Sequence, residues 1–210
     1  MSEKPVVHVV DDDVSFLRSV TRLLRASGYK VEAYSSVDEF LQRPSSQAPG
    51  CVLTDLQMPH RSGLDLQKAL ARTRHALPVI FLTAKGDIPT SVRAMREGAE
   101  DFLTKRAPKA ALFDAIERAI ARSLREEKRR SCRAEARAKF DALSRREWEV
   151  LAGVLRGLLN KQIAEKLGIA ERTVKHHRTS LTNKVGVSSA AEMALLVNEA
   201  GLDRADIPAV

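Results

Sequence analysis

The sequence predicts an α/β protein in which a five-stranded, doubly wound parallel sheet is followed by a long helical linker and an all-α domain. Three observations support this fold class. Five short apolar runs alternate with helical apolar patterns over the first 120 residues, as in parallel sheets that carry helices on both faces. A charged stretch of helical pattern follows at 122–140, and the rest of the sequence shows helical patterns without a strand signal. We therefore place the domains at 1–121 and 141–210, with the linker between them.

The predicted strands include PVVHVV, an apolar run typical of a strand buried in a parallel sheet, and YKVEAY, in which apolar and polar residues alternate. In chain order they are 5–10, 29–34, 51–55, 78–83 and 100–104. Helical patterns fill the intervals. Gly28 ends the first helix, and a capping box formed by Ser36 and Glu39 starts the second. The helices are predicted at 14–27, from Ser36 to near Pro44, at 64–72, at 88–97 and from Pro108 onward, with a loop at 44–50.

Glycines divide the all-α domain into four predicted helices. Ser144 and Glu147 form a capping box before the first helix, so we interpret Glu147 as a structural residue. Asn160 is the predicted N-cap of the second helix, and Trp148 is interpreted as a core residue. The helices are predicted at 145–156, 161–167, 171–184 and 189–200.

Composition and charge narrow the classes of function. No apolar run approaches the ~18 residues of a membrane span, and the N-terminus lacks a secretory cleavage pattern, so we expect a cytoplasmic protein without a membrane partner. The net charge is +8. Residues 122–140 hold eight basic and three acidic side chains, and 156–184 hold seven and two. This distribution indicates a polyanion partner, although a solvated linker helix would show the same charge.

Polar side chains follow four of the predicted strands. In a parallel sheet of order 2-1-3-4-5, ligands bind at the carboxyl ends of the strands, in the crevice between the first and third. Asp11 and Asp12 follow the first strand, and Asp55 ends the third. Thr83 ends the fourth strand, and Lys105 follows the fifth. We therefore expect Asp55 to point into a water-filled crevice rather than into the core.

These residue types favour phosphoryl chemistry supported by a metal. Carboxylates without His or Cys suit Mg²⁺, whereas Zn²⁺ would need nitrogen or sulfur ligands. Beside Mg²⁺ a carboxylate can attack phosphorus, since such transfer depends on positioning and charge neutralisation. Lys105 can bind phosphate oxygens, and the Thr83 hydroxyl can donate to them. Helix capping offers a purely structural role for Asp13, but it does not account for Asp55.

The stretch from Asn160 to Lys184 predicts a helix-turn-helix, because a short turn with Gly168 separates two helical patterns. The second helix would enter the major groove of DNA. Its inner face is predicted to hold Val174, Leu181 and Val185, and the residues facing bases or phosphates are Lys175, His176, Arg178 and Thr179. We reject a metal site at His176 and His177, since adjacent side chains diverge on a helix. His176 is expected to face solvent and His177 to pack.

Four motifs in the first domain, VVDDD, VLTDLQMP, IFLTA and DFLTK, resemble the CheY-like receiver domain of bacterial two-component response regulators over residues 5–121. The resemblance implies that Asp55 accepts phosphate from a sensor histidine kinase. It also implies a Mg²⁺ site, with Mn²⁺ as an alternative, at Asp11, Asp12, Asp55 and the Gln57 backbone carbonyl. Thr83 and Lys105 would contact the phosphoryl group, and Phe102 would turn inward with Thr83. Met58, Pro59 and Gly63 fit the loop after the phosphoacceptor.

This sequence departs from the receiver pattern at one position. The family usually has a proline joined by a cis bond directly after the lysine, and here Arg106 follows Lys105. A non-proline cis bond costs about 3 kcal/mol, so we expect this peptide to be either trans or strained.

The segments LSRREWEVL and NKQIAEKLGIAERTVKHHR resemble the LuxR/FixJ-type DNA-binding domain over residues 143–200. The whole chain thus resembles NarL/FixJ-family response regulators, and its long linker favours the FixJ-like branch. The resemblance implies phosphate-backbone contacts from Asn160, Lys161 and Thr173. The full set of implied DNA contacts is Asn160, Lys161, Arg172, Thr173, Lys175, His176, Arg178, Thr179 and Lys184.

The leading hypothesis is a bacterial transcription factor, not an enzyme, that phosphorylation of Asp55 controls. Phosphate would favour homodimers through the fourth helix and fifth strand, with double-stranded promoter DNA and RNA polymerase as partners. A Mg²⁺-dependent phosphatase is one rival, but such enzymes place a second Asp where this chain has Gln57. A regulator that binds DNA without phosphorylation is another, supported by Arg106. The linker is interpreted either as a spacer that sets the distance between domains or as a passive tether.

Overall fold

A computed structural model of the chain describes residues 4–42, 48–73, 75–84, 88–203 and 206–207. The chain divides into two compact units, Met1–Glu127 and Lys128–Val210. Most of the loop predicted at 44–50 lies outside the described residues, and the predicted domain boundaries at 121 and 141 stay predictions.

The first unit is built on a five-stranded sheet in which every pairing is parallel and the strand order is β2-β1-β3-β4-β5. The predicted order is therefore confirmed. β1, β3 and β4 are buried along their whole length, whereas the edge strands β2 and β5 are partly exposed. The strands are β1 (Val6–Val10), β2 (Lys30–Tyr34), β3 (Gly50–Thr54), β4 (Val79–Thr83) and β5 (Asp101–Thr104).

Helices cover both faces of this sheet. Because successive side chains of a strand point to opposite faces, Val9 packs with α1 and α5 in one apolar layer while Val10 packs with α2, α3 and α4 in another. The helices are α1 (Val14–Ala26), α2 (Val37–Gln42), α3 (Gly63–Ala71), α4 (Ile88–Arg96) and α5 (Lys109–Asp141). The predicted linker residues 122–140 thus lie within a helix.

The start of α2 differs in detail from its predicted capping box. Ser36 Oγ accepts a hydrogen bond from the Glu39 backbone N–H at 3.1 Å, as expected. The Glu39 carboxylate, however, accepts from the backbone N–H and the hydroxyl of Ser35, both at 2.7 Å, rather than from Ser36. The reciprocal half of the box is therefore displaced by one residue.

In the second unit, four helices pack with the end of α5 in two apolar clusters. Val174, Leu181 and Val185 are fully buried, which confirms the predicted inner face of the helix that carries them. Trp148 is half-buried, and its ring centroid lies 5.8 Å from that of Phe140. The helices are α6 (Arg145–Leu155), α7 (Asn160–Leu167), α8 (Glu171–Val185) and α9 (Ala190–Glu199).

The two predicted helix starts in this unit have different outcomes. Ser144 and Glu147 form the expected capping box at α6. Asn160 is not the N-cap of α7: Leu159 is, because the Gln162 side chain accepts the Leu159 backbone N–H at 2.9 Å and starts the helix one residue earlier. None of the described helices is both long and apolar enough to cross a lipid bilayer.

Candidate functional site

Three carboxylates meet at the carboxyl edge of the sheet. The Asp11 backbone N–H donates to the Tyr34 carbonyl at 3.1 Å, and the Asp55 N–H donates to the Val10 carbonyl at 3.0 Å. These bonds continue the sheet by one residue beyond β1 and β3, so both side chains leave the sheet at the same edge. Carboxylate oxygens of Asp11, Asp12 and Asp55 all lie within 4.8 Å of one another.

The cluster is more buried than the sequence predicted. Asp11 is 1 % exposed and Asp55 is 8 % exposed, while Asp12 is open to solvent. The expectation that Asp55 points into a water-filled crevice is therefore corrected, because Lys105 lies over it. Burial raises the pKa of Asp11 above its usual value, although hydrogen bonds from Lys105 and from the Asp13 backbone N–H favour the charged form.

Lys105 supplies the positive charge that these carboxylates need. Its Nζ lies 2.7 Å from Asp11 Oδ2 and 2.9 Å from Asp55 Oδ2, and the Lys105 side chain is largely buried. Burial disfavours the charged ammonium, but the hydrogen bonds to the two carboxylates outweigh it and raise the pKa of Lys105. No cis peptide bond occurs among the described residues, so the bond to Arg106 is trans. Lys105 reaches the cluster without the proline that is usual after it.

The other oxygen of Asp55 is held by the loop that follows β3. Asp55 Oδ1 accepts the Leu56 backbone N–H at 2.6 Å, and the Gln57 N–H lies 3.5 Å from it. The carboxylate is thus oriented on one side by the backbone and on the other by an ammonium. Gln57 itself is exposed.

The two predicted switch residues lie on neighbouring strands. Thr83 is 2 % exposed, and its backbone carbonyl accepts the Lys105 N–H at 2.8 Å. Phe102 on β5 is half-buried, with its ring centroid 5.9 Å from that of Phe81 on β4. Backbone pairing between β4 and β5 therefore connects the Thr83 and Lys105 positions directly.

Gly63 allows the loop after β3 to close against the site. Its backbone N–H donates to the Leu56 carbonyl at 3.0 Å. A Cβ at this position would lie 2.2 Å from the Asp55 carbonyl oxygen and 2.9 Å from Phe81 Cε1. Any larger residue would displace the backbone that carries Asp55.

One contact was missed by the sequence analysis. The ring of Phe16, in the first turn of α1, lies with its centroid 4.5 Å from Lys105 Nζ. Asp13 caps this turn, as expected, by accepting the backbone N–H groups of Ser15 and Phe16 at 2.9 and 3.1 Å. The sequence shows an aromatic residue shortly after the aspartates, but this position fits an ordinary core residue of α1 equally well. The pattern therefore did not indicate a contact with Lys105.

The donor set fits a divalent metal. Three carboxylates within one small volume are an oxygen-only ligand set, which hard cations such as Mg²⁺ prefer. Asp12 leaves the set open on the solvent side, so hydrated ions can enter.

A second candidate surface lies on α7 and α8. Most residues predicted to contact DNA are exposed there: Lys161, Arg172, Thr173, Lys175, His176 and Thr179. Lys175 Nζ lies 3.4 Å from Glu171 Oε1, and this pair is itself open to solvent. His177 is half-buried, in keeping with its interpretation as a packing residue. The outer face of α8 therefore offers cations and hydroxyls to a ligand.

Three other predicted DNA contacts have partners within the protein. Arg178 donates to Asn160 Oδ1 at 3.0 Å, which ties α8 to the first residue of α7. Lys184 Nζ lies 2.8 Å from the buried carboxylate of Glu147 and 3.3 Å from the Ala142 carbonyl oxygen. Glu147 Oε1 also accepts the Ser180 hydroxyl at 2.6 Å. These side chains fix the pose of α8 on the neighbouring helices.

The chain matches two known protein families. Residues 7–117 match the response regulator receiver domain, and residues 141–197 match bacterial regulatory proteins of the luxR family. The chain belongs to the response regulator family. Response regulators of this type pair a receiver with a DNA-binding domain, so a cognate kinase and DNA are implied partners. The chain joins a receiver to a DNA-binding domain of bacterial regulatory proteins, as a transcription regulator does, which sets the phosphatase rival aside.

Similar proteins cover nearly the whole of this response regulator. Nodulation protein W of Bradyrhizobium diazoefficiens is 41% identical over 96% of this chain and 88% of its own. Transcriptional regulatory protein FixJ of Azorhizobium caulinodans is 39% identical over 98% of both chains, which confirms the resemblance to FixJ. The solved structure of response regulator StyR is 41% identical, covers 94% of this chain and all of its own, and has a TM-score of 0.82.

Proposed function

We propose that phosphorylation of Asp55 controls the DNA binding of this response regulator. The observation that carries the proposal is the contact of Lys105 with both Asp11 and Asp55 beside the solvent-open Asp12. A carboxylate that is oriented, buried and next to an ammonium is suited to phosphoryl transfer, which depends on positioning and charge neutralisation.

The proposed transfer uses this chain's own groups in defined roles. Asp11, Asp12, Asp55 and the Gln57 carbonyl would hold Mg²⁺, which when bound neutralises charge on the phosphoryl group. An Asp55 carboxylate oxygen forms the new bond to phosphorus as the phosphoramidate bond of the kinase phosphohistidine breaks. The Lys105 ammonium then changes its hydrogen-bond partner from a carboxylate oxygen to a phosphoryl oxygen. The Thr83 hydroxyl donates to a second phosphoryl oxygen.

The proposed response begins at Thr83 and spreads to the surface of α4 and β5. Thr83 and Phe102 would turn inward together, since their strands are paired and Phe102 is only half-buried. The neighbouring surface carries apolar side chains in one helical stripe: Ile88, Val92 and Met95 of α4 are 79, 43 and 45 % exposed. We propose that this surface forms the homodimer after phosphorylation.

A dimer would present two α8 helices to two half-sites of promoter DNA. The exposed groups of α8 would contact bases and phosphates, with Lys161 at the start of α7 on the backbone. DNA affinity would then depend on phosphate through the dimer, and RNA polymerase is the proposed downstream partner.

The test is operator affinity with and without acetyl phosphate and Mg²⁺, on sites that the purified protein selects from genomic fragments. We expect phosphate to raise the affinity of the wild type roughly 5- to 150-fold, the usual range of coupling between two sites. Asp55→Asn should show no rise, while Asp114→Asn, which alters an exposed carboxylate on α5, should behave as wild type. Equal affinity with and without phosphate would instead favour a regulator that binds DNA constitutively.

A further inference from the structure

The ring of Phe16 is placed against the ammonium that bridges the acidic cluster. Lys105 Nζ lies 4.5 Å from the ring centroid, within the range of a cation–π contact. Phe16 is half-buried and packs against the apolar layer that α1 and α5 form with the sheet. Because Asp13 also holds the Phe16 backbone N–H at 3.1 Å, both the backbone and the ring of this residue are fixed.

Phe16 contacts the Lys105 ammonium in a different way from the two carboxylates. An ammonium has three donors, and two of the contacts of Lys105 are oxygens of Asp11 and Asp55. The aromatic face attracts the cation electrostatically but has no oxygen to offer a hard metal ion. A divalent ion would therefore compete with Lys105 for the carboxylates and not for the ring.

We propose that Phe16 is a positioning residue for Lys105. The inference rests on the proposed phosphorylation of Asp55, during which Lys105 must leave a carboxylate oxygen and find a phosphoryl oxygen. The ring contact need not change in this exchange, so it keeps the ammonium beside Asp55 throughout. In this chain Arg106 stands where a proline usually constrains the lysine, and the position of Lys105 depends correspondingly more on what its side chain touches.

The experiment compares Phe16→Leu, Phe16→Tyr and the control Phe113→Leu in the full-length protein. Phe113 is matched because it is also half-buried against the same apolar layer, where its ring stacks on Tyr29 at 6.1 Å. Three quantities are measured: the proton shift of the Lys105 ε-methylene without metal, the rate of phosphate uptake from acetyl phosphate with Mg²⁺, and the melting temperature.

We expect Phe16→Leu to lose the ring-current shift of Lys105 and to slow phosphate uptake about two- to fivefold, the equivalent of one cation–π contact. Phe16→Tyr should restore both, because it keeps the aromatic face. Phe113→Leu should lower the melting temperature as much as Phe16→Leu does, without changing the shift or the uptake.

Two results would overturn the inference: uptake by Phe16→Leu that equals that of Phe113→Leu, or failure of Phe16→Tyr to restore the rate. A wild-type protein that takes up no phosphate at all would instead refute the proposed function. The ring-current shift is measured without metal or phosphate, so it tests the contact separately from the reaction.

Discussion

At the scale of single residues, Glu147 shows how one buried carboxylate joins two helices. It is 3 % exposed and accepts the Ser144 backbone N–H at 2.7 Å, the Ser180 hydroxyl at 2.6 Å and the Lys184 ammonium at 2.8 Å. Burial alone would raise the pKa of Glu147. The hydrogen bonds from Lys184, Ser180 and Ser144 outweigh burial and lower it to about 2.

This lowered pKa predicts how the stability of the second unit depends on pH. A glutamate with a folded pKa of about 2 and an ordinary value of 4.5 stabilises the fold fully above pH 4.5, and this contribution is lost as the pH falls toward 2. Glu147→Gln should therefore lower the free energy of unfolding at pH 7 by on the order of 2 kcal/mol, and by much less near pH 2. Urea unfolding followed by fluorescence of Trp148, the single tryptophan, measures both values.

Glu171→Gln is the matched control. Glu171 belongs to the same unit, and both its side chain and that of its partner Lys175, 3.4 Å away, are exposed. Surface ion pairs contribute little, so this variant should unfold within about 0.5 kcal/mol of the wild type. An equal loss in both variants, or a Glu147→Gln effect that does not change with pH, would contradict the account of Glu147.

The residue types of the site could be predicted from sequence, but their contacts could not. Aspartates and a lysine at strand ends must meet once the strands are parallel. The contact of Lys105 with Asp55 joins segments 50 residues apart in the chain, which no local pattern encodes. The same holds for Lys184 and Arg178, whose charge predicts DNA contact but whose partners are set by neighbouring helices.

At the scale of elements, the loop between β3 and α3 is built around Gly63. Gly63→Ala would place a methyl group 2.2 Å from the Asp55 carbonyl oxygen, closer than any real contact, so the backbone carrying Asp55 must shift. Small misplacements at a reacting centre cost up to roughly 100-fold in rate. We expect Gly63→Ala to slow phosphate uptake from acetyl phosphate by at least about tenfold, as measured by the rate of incorporation with Mg²⁺.

The control for this loop is Asp65→Ala. Asp65 completes the capping box at the start of α3 through Ser62, so its removal weakens the helix without crowding Asp55. This variant should lose stability, by roughly 1 kcal/mol, and keep its uptake rate. Near-normal uptake by Gly63→Ala would show that the loop can relax around the methyl group.

Helices and strands agree with the sequence prediction to within one or two residues, because apolar periodicity and glycine stops are local signals. α8, predicted at 171–184, ends at Val185 before Gly186, whose φ of 75° stops the helix. The predicted N-cap of α7 was wrong. Asn160 was chosen because asparagine is a favourable N-cap residue in general. Instead, the Gln162 side chain accepts the Leu159 backbone N–H. N-cap propensities of single residues do not predict this hydrogen bond.

At the scale of the whole molecule, we expect the effect of phosphate on DNA affinity to depend on the length of α5. α5 is one helix over Lys109–Asp141, and its residues belong to both units. Inserting four alanines after Ser131 would add about 6 Å and about 40° of rotation to such a helix. We expect the phosphate-dependent gain in operator affinity to fall by more than about fivefold, the lower end of typical coupling between sites. DNA binding titrations with and without acetyl phosphate measure this gain.

Four alanines appended after Val210 serve as the control, since they leave α5 unchanged. They should leave the gain as in the wild type. If insertion within α5 also leaves the gain unchanged, the linker is a passive tether, the alternative that its charge would equally permit.

Fold class and family could be predicted for the whole chain, because the βα alternation, the strand-end residues and the helix-turn-helix pattern each point to the same answer. The proposed dimer surface could not be derived in the same way. The apolar stripe of Ile88, Val92 and Met95 is visible as helical spacing, but only the fold shows that it is exposed rather than buried.

The proposed function depends on one reaction, the uptake of phosphate by Asp55 with the help of a metal that its neighbours would hold. Its most direct test is incorporation of phosphate from acetyl phosphate, with Mg²⁺ or with a chelator, and location of the modified residue by mass spectrometry. We predict Mg²⁺-dependent modification of Asp55 in the wild type and none in Asp55→Asn. Equal incorporation by the two proteins, or modification of the wild type elsewhere, would refute phosphorylation of Asp55.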